Sequence, residues 1–325
     1  MIYKKRLAIS ILAGMLVLAS GCASQDGKKT EQTKRITEQE AAKQYKMVTA
    51  KNQKIEHIHG IGYPGNDEAL YVATHEGLKL HKQSKWFETT TNHHDYMGFQ
   101  ATASGFQASG HPEKGSALKD PLGLVESLDQ GKTLKRLAFY GQSDFHYMAS
   151  GYSENGIYVI NEQQTGKFDP EVYFSNNKGK NWSKSKFDQF AANSLGMMTV
   201  HPKDGKTMAM ATKTGIYYSE NNGDTMKLVT DPVMVTALTF AGDELLYSSV
   251  ENKQILLKRL NPKTGIQSPL SFPFLDYDNP VTYIAVDPKN ENRFAFSTYK
   301  NDLYESTDGG KSWVNLLKDG KIEQD

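Results

Sequence analysis

The residues best equipped for chemistry in this 325-residue chain are its nine histidines, and they are unevenly placed. His57 and His59 form His-Ile-His-Gly, His75 follows Tyr-Val-Ala-Thr, and His93 and His94 are adjacent. His111 lies in Ser-Gly-His-Pro and His146 in Asp-Phe-His. Neutral imidazole is the commonest protein metal ligand. Two residues at i and i+2 on a strand point to the same side, so His57 and His59 can offer two ligands to one ion. His75, His111 and His146 are the candidates for the rest of the shell. Imidazole suits zinc or copper, and soft sulfur from Met97, Met148 or Met197 would favour copper. The competing reading is a polar mouth in which the same rings bond to backbone or water.

Carboxylates offer a second chemistry. A glycoside hydrolase needs two of them roughly 5 to 10 Å apart across the scissile bond. Glu76, Asp95, Asp144 and Glu251 lie in comparable segments, with Glu76 and Asp144 as the catalytic candidates, although no spacing selects a pair. Sialidase chemistry is disfavoured. It clamps a substrate carboxylate with several guanidinium groups, whereas the only arginines after residue 45 are Arg136, Arg259 and Arg293.

The single cysteine, Cys22, excludes a disulfide within the chain. Lys4, Lys5 and Arg6 precede an apolar run at 7–18, too short for a membrane span of about 20 residues but suited to an export signal. The run ends Leu18-Ala-Ser-Gly-Cys22, which resembles the lipobox of bacterial lipoproteins. That resemblance implies a signal peptide at 1–21, lipidation of Cys22, and a polar tether at 22–44 leading to a body at 45–325. The expected location is the extracytoplasmic face of a cell membrane. A formal charge of +1 leaves no electrostatic footprint for nucleic acid.

A repeat defines the elements that must position these groups. It occurs at Ser127-Leu-Asp129-Gln-Gly131, Ser175-Asn-Asn177-Lys-Gly179, Ser219-Glu-Asn221-Asn-Gly223 and Ser306-Thr-Asp308-Gly-Gly310. Leu134, Trp182, Met226 and Trp313 close the four copies. Asp or Asn folds onto backbone N–H groups in a tight turn, and Gly supplies positive φ. These residues read as structural. The pattern resembles the Asp-box, or BNR repeat, of sialidases and sortilins.

The four serines are 48, 44 and 87 residues apart. A period near 44 matches a four-stranded propeller blade. Degenerate hairpins are expected near 81–86 and 260–265, giving an all-β propeller of about six four-stranded blades with Asp-box hairpins. Five or seven blades follow if one hairpin is misjudged. Residues 46–50 are expected to pair with the last blade and close the ring.

From His57 onward the chain resembles a family of bacterial propeller lipoproteins carrying glycosylhydrolase or BNR/sialidase-like names. The shared residues are His57-x-His59-Gly, Thr74-His-Glu-Gly-Leu78, Ser109-Gly-His-Pro112 and Asp144-Phe-His146. The resemblance implies the fold and establishes no activity. In an up-and-down blade, loops entering the first strand and loops joining the second and third share one face. Seven of the nine histidines therefore map to one end of the channel, His81 and His201 being the exceptions. The expected function is a membrane-anchored extracytoplasmic binding module with a histidine-rich channel mouth, holding zinc or copper or a protein or glycan ligand. The alternatives are a glycoside hydrolase using a carboxylate pair on that face, and a scaffold for assembly of a membrane complex.

Overall fold

Short runs of apolar and β-branched residues, interrupted by Gly, Asn and Asp turns, fold into strands that, one short N-terminal strand apart, pair only with their immediate neighbours in sequence. In the computed structural model, which describes residues 44–322 other than 52, 53 and 167, they form six antiparallel sheets. Blade one contains β1 (Met47–Thr49), β2 (Ile58–Gly62), β3 (Leu70–Thr74), β4 (Gly77–Lys82) and β5 (Lys85–Thr89). Blade two contains β6 (Asp95–Thr102), β7 (Gly105–His111), β8 (Leu124–Ser127) and β9 (Lys135–Ala138). Blade three contains β10 (Met148–Ser150), β11 (Ile157–Asn161), β12 (Glu171–Ser175) and β13 (Ser183–Lys184). Blade four contains β14 (Met198–His201), β15 (Asp204–Thr212), β16 (Gly215–Ser219) and β17 (Lys227–Leu228). Blade five contains β18 (Met234–Ala241), β19 (Glu244–Glu251), β20 (Gln254–Leu260) and β21 (Gln267–Leu270). Blade six contains β22 (Val281–Asp287), β23 (Asn290–Thr298), β24 (Leu303–Ser306), β25 (Val314–Lys318) and β26 (Lys321–Ile322). The result is a six-bladed β-propeller. Cys22, the expected export signal and all of the expected tether but Gln44 lie outside the described residues.

Strand alternation builds the ring. In β3, Leu70 and Val72 join a core with Ala285, Ala295 and Leu303 of blade six, while Tyr71 and Ala73 join one with Phe99 and Phe106 of blade two. Each face of a blade is thus buried against a neighbour, and six clusters fill the six interfaces between blades.

Ring closure differs from the expectation. β1 pairs with β5, the outer strand of its own blade, and not with blade six. The outer edge of blade six is covered by the chain's own β26, which pairs with β25. Closure instead uses a bridge between Lys54 and Lys321, a hydrogen bond from Ile55 N–H to Gly320 O at 2.8 Å, and one from the Tyr63 hydroxyl to Glu305 at 2.9 Å.

The four Asp-box turns share one hydrogen-bond scheme. Each serine Oγ accepts from the box glycine N–H, at 2.8 Å for Gly131, 2.9 Å for Gly179, 3.0 Å for Gly223 and 2.9 Å for Gly310. The same hydroxyl donates to the Asp or Asn oxygen two residues on. That oxygen accepts from the N–H four residues further along, at 2.9 Å in all four turns. Ser127 is buried, so Ser127→Ala strands the Gly131 N–H without a partner. The expected loss is about 1–3 kcal/mol of unfolding free energy, read from urea denaturation. An unchanged midpoint would mean that water replaces the hydroxyl.

Candidate metal centre at the channel mouth

The innermost strands β2, β6, β10, β14, β18 and β22 line a narrow channel of about 100 Å³. At one end it widens into a cleft of about 610 Å³. The walls include His57, Tyr147, Met197, Lys213, Tyr283 and Tyr299. His57 marks this end as the histidine face.

Several inner strands are not regular where they leave this mouth. Register shifts interrupt β2 between Ile58 and Gly60, β6 between Met97 and Gln100, β18 between Val235 and Ala237, and β22 between Val281 and Tyr283. Bulges of this kind re-aim side chains. In β2 the bulged residue is His59, so its ring is placed by the irregularity and not by simple alternation. The His57 and His59 rings nevertheless lie side by side, with centroids 6.4 Å apart and planes inclined by 28°.

His75 enters from the turn after β3. That turn is fixed by Thr74 Oγ1, which donates to Gly77 O and accepts from Glu76 N–H. The His75 ring is 5.0 Å from that of His57 and 4.3 Å from that of His59. Asp95, the first residue of β6, completes the group. His59 Nε2 is 3.2 Å from His75 Nδ1 and 3.6 Å from Asp95 Oδ1, and His75 Nδ1 is 2.8 Å from Asp95 Oδ2. One ligand atom from each of His59, His75 and Asp95 lies within 4.8 Å of both others.

Two features fit this trio to a cation. Asp95 Oδ1 is buried and accepts no hydrogen bond, an expensive condition for a carboxylate oxygen. His59 is pushed down to about 4, chiefly by burial, with Asp95 opposing the shift and His75, His57 and His146 adding to it. Its imidazole is therefore neutral at pH 7, with a lone pair free to coordinate. Tetrahedral Zn²⁺ with bonds of about 2.0–2.2 Å holds its ligand atoms about 3.4 Å apart, close to the two His59 distances.

His111 and His146 form a neighbouring group, outside the His59 trio. His111 Nδ1 is 2.6 Å from Asp120 Oδ1, and its Nε2 is 3.4 Å from Asp144 Oδ2. His146 Nδ1 is 3.6 Å from Asp144 Oδ2 and 3.5 Å from Glu162 Oε2. Burial opposes charge on His111, but the hydrogen bond to Asp120 and the charges of Asp120, Asp144 and Asp95 raise its affinity for a proton overall. Of the five candidate ligands, only His59 and His75 converge, with Asp95, closely enough among the described residues to share an ion; His57 lies beside them, and His111 and His146 each face Asp144. Asp95 and His111 are cross-strand partners in β6 and β7.

The other histidines serve the scaffold. His94 is buried, held near 4 mainly by burial, and accepts from Glu113 N–H. His93 contacts Thr89 O and Glu113, and His201 contacts Asp243. Met148 packs into the core with Phe145 and Leu124, and Met197 lines the cleft. The carboxylate candidates are not paired with one another by any contact: Asp144 faces two imidazoles, Glu76 makes no ion pair among the described residues, and Glu251 is held by Lys258 on blade five. Sequence reasoning placed Asp95 only among the acids of a possible hydrolytic pair, and did not single out Asp120 or Glu162.

The fold and its repeated turns define a six-bladed β-propeller of the Asp-box kind. The sortilin (Sortilin-Vps10; neurotensin receptor 3) family model matches residues 123–275. Among solved structures, the chain is similar to the GH74 xyloglucanase of Xanthomonas campestris, at 15% identity and TM-score 0.53, covering 84% of this chain and 47% of that one. It is also similar to the GH74 enzyme of Niastella koreensis, at 14% identity and TM-score 0.52, with coverages of 84% and 47%. A chain of a nidogen/laminin complex matches at 10% identity and TM-score 0.52, over 73% of this chain and 88% of that one. The chain spans about half the length of the GH74 structures. No curated protein matches it. At these identities the likeness is one of fold.

Proposed function

We propose that this protein is a membrane-anchored extracytoplasmic binding module whose channel mouth holds a zinc or copper ion through His59, His75 and Asp95, with His57 beside them. The observation that carries the reading is the convergence of three ligand atoms from three separate elements on one point, one of them beside a buried, unpartnered carboxylate oxygen. Nitrogen and oxygen donors without thiolate suit Zn²⁺ or Cu²⁺. The adjoining cleft of about 610 Å³ is of a size that accepts organic ligands, so a ligand seated there would lie next to the ion across His57.

Titration of the propeller with Zn²⁺ and Cu²⁺ tests the metal. Saturable binding that depends on His59, His75 and Asp95 is expected, and no binding by the wild-type chain would end the proposal. The anchor rests on the lipobox-like residues before Cys22. Several acyl chains hold a protein at a bilayer far better than one. Cys22→Ala is accordingly expected to abolish incorporation of labelled palmitate and shift the protein out of the membrane fraction. Continued labelling would remove Cys22 as the site.

A further inference from the structure

We propose that the cleft of about 610 Å³ at the mouth binds an apolar organic anion, with its charged head on Lys213 and its body against Met197, Met234 and Tyr299. The proposal rests on the reading of the mouth as a binding site and names the class of its ligand; it requires no metal ion.

The repeat places the groups. The second strands of blades one, four and six, β3, β15 and β23, end on Thr74, Thr212 and Thr298. The residue that follows each threonine is His75, Lys213 and Tyr299. Thr212 Oγ1 donates to Gly215 O at 2.8 Å and accepts from Thr214 N–H at 3.1 Å. Thr74 holds the turn of His75 in the same way. One turn design therefore presents an imidazole from blade one and an ammonium from blade four.

Charge gives the cleft a direction. Its lining includes one ammonium, Lys213, and one carboxylate, Glu56. The inner strands touch in chain order around the ring, so blade four stands opposite blade one and the two charges face each other across the axis. The Lys213 side chain forms no ion pair or hydrogen bond among the described residues. A single ammonium beside low-dielectric walls focuses its field into the cleft, where an anionic head is screened less than on an open surface.

The walls set the body of the ligand. Tyr147, Leu195, Met234 and Tyr299 line the cleft and are 39%, 40%, 44% and 70% exposed. Scattered exposed apolar residues are ordinary, but four around one cleft make the kind of patch that marks a ligand groove. Met197 and Met234 add flexible thioethers that adapt to an irregular apolar shape. An inorganic anion would use Lys213 alone, and a neutral apolar molecule the walls alone. An apolar organic anion uses both.

The test employs two dyes that share their rings. Anilinonaphthalene sulfonate carries an anionic head, N-phenylnaphthylamine lacks it, and both brighten on leaving water. Each is titrated into the propeller from Gln44 to Asp325, which contains the closed ring and its six cores, with EDTA present so that no metal takes part. Saturable binding of the sulfonate at a single site is expected, with displacement by decanoate. Lys213→Gln should weaken the sulfonate by about 10-fold or more, the scale of a hydrogen bond to a charged group, and leave the neutral dye unchanged. Met234→Ala/Tyr299→Ala should weaken both dyes. No saturable sulfonate binding, or equal binding by wild type and Lys213→Gln, would overturn the proposal. Sulfonate binding indifferent to Met234→Ala/Tyr299→Ala would overturn it as well. Failure to bind Zn²⁺ with dye binding intact would end the metal reading and leave this one standing, and the reverse result would do the opposite. Unchanged melting of each variant verifies folding, since the sulfonate also binds partly unfolded chains.

Discussion

Alanine at His59 is expected to weaken Zn²⁺ binding at the metal centre by more than the roughly 10–100-fold that loss of a supporting partner costs. His59 is the more buried of the two imidazoles, and its Nε2 faces both other groups, at 3.2 Å to His75 and 3.6 Å to Asp95. Burial keeps that ring neutral at pH 7, so binding there displaces no proton. Asp95→Asn keeps the shape of the side chain but removes the charge that repays desolvation of the ion, and a comparable loss is expected. A ligand at 100 times its Kd stabilises a fold by about 2.7 kcal/mol, while the same concentration at a 100-fold weaker site gives only about 0.4 kcal/mol. Melting with and without Zn²⁺ therefore reads the effect directly. His201→Ala, which loses a contact to Asp243 on another part of the ring, should retain the full metal-induced shift. Equal shifts in wild type, His59→Ala and Asp95→Asn would place any bound metal elsewhere.

The second large effect is expected from a glycine. Gly110 in β7 has φ +117°, and a Cβ there would come within 2.0 Å of the carbonyl oxygen of Asp95. The contact is backbone against backbone, so no side chain can swing aside. Left-handed geometry costs a non-glycine residue about 1–2 kcal/mol, and forced overpacking adds about 1–3 kcal/mol. Gly110→Ala should thus lose about 3 kcal/mol of stability and displace the strand start that carries Asp95, removing the metal together with the stability. Gly115 supplies the control: its φ is +86° with nothing within 4 Å of an added Cβ. Gly115→Ala should show the strain alone, about 1–2 kcal/mol, with metal binding intact. Equal losses at the two positions in urea denaturation would show that the close approach to Asp95 does not matter.

Blade number was legible because each blade is a local meander. Its turns must recur at the same interval, and Ser127, Ser175, Ser219 and Ser306 mark them. Even the two hairpins lacking the motif fall where the period requires, between β4 and β5 and between β20 and β21. The pairing of β1 was not legible. A three-residue strand joins whichever edge is open, and the edge of blade six is taken by β26 from the other end of the chain.

The candidate site divides in the same way. Its histidines stood out by residue type and by their place in the repeat, and the ring brings His57, His59, His75, His111 and His146 to one rim. His93 and His94 had the same credentials, yet His94 turns inward and bonds to Glu113 N–H. Asp95 had no local signature at all. Its place in the proposed centre follows from standing opposite His111 and within reach of His59 and His75, residues separated from it by 16, 36 and 20 positions in the chain.

What the sequence determined by itself was the repeat, its turn chemistry and the face on which imidazoles collect, because these depend on interactions a few residues apart. What only the tertiary structure decided was which imidazole meets which carboxylate. That choice is made by bulges within blades and by close glycine contacts within and between them, as at Gly110 against Asp95 and Gly98 against Phe145.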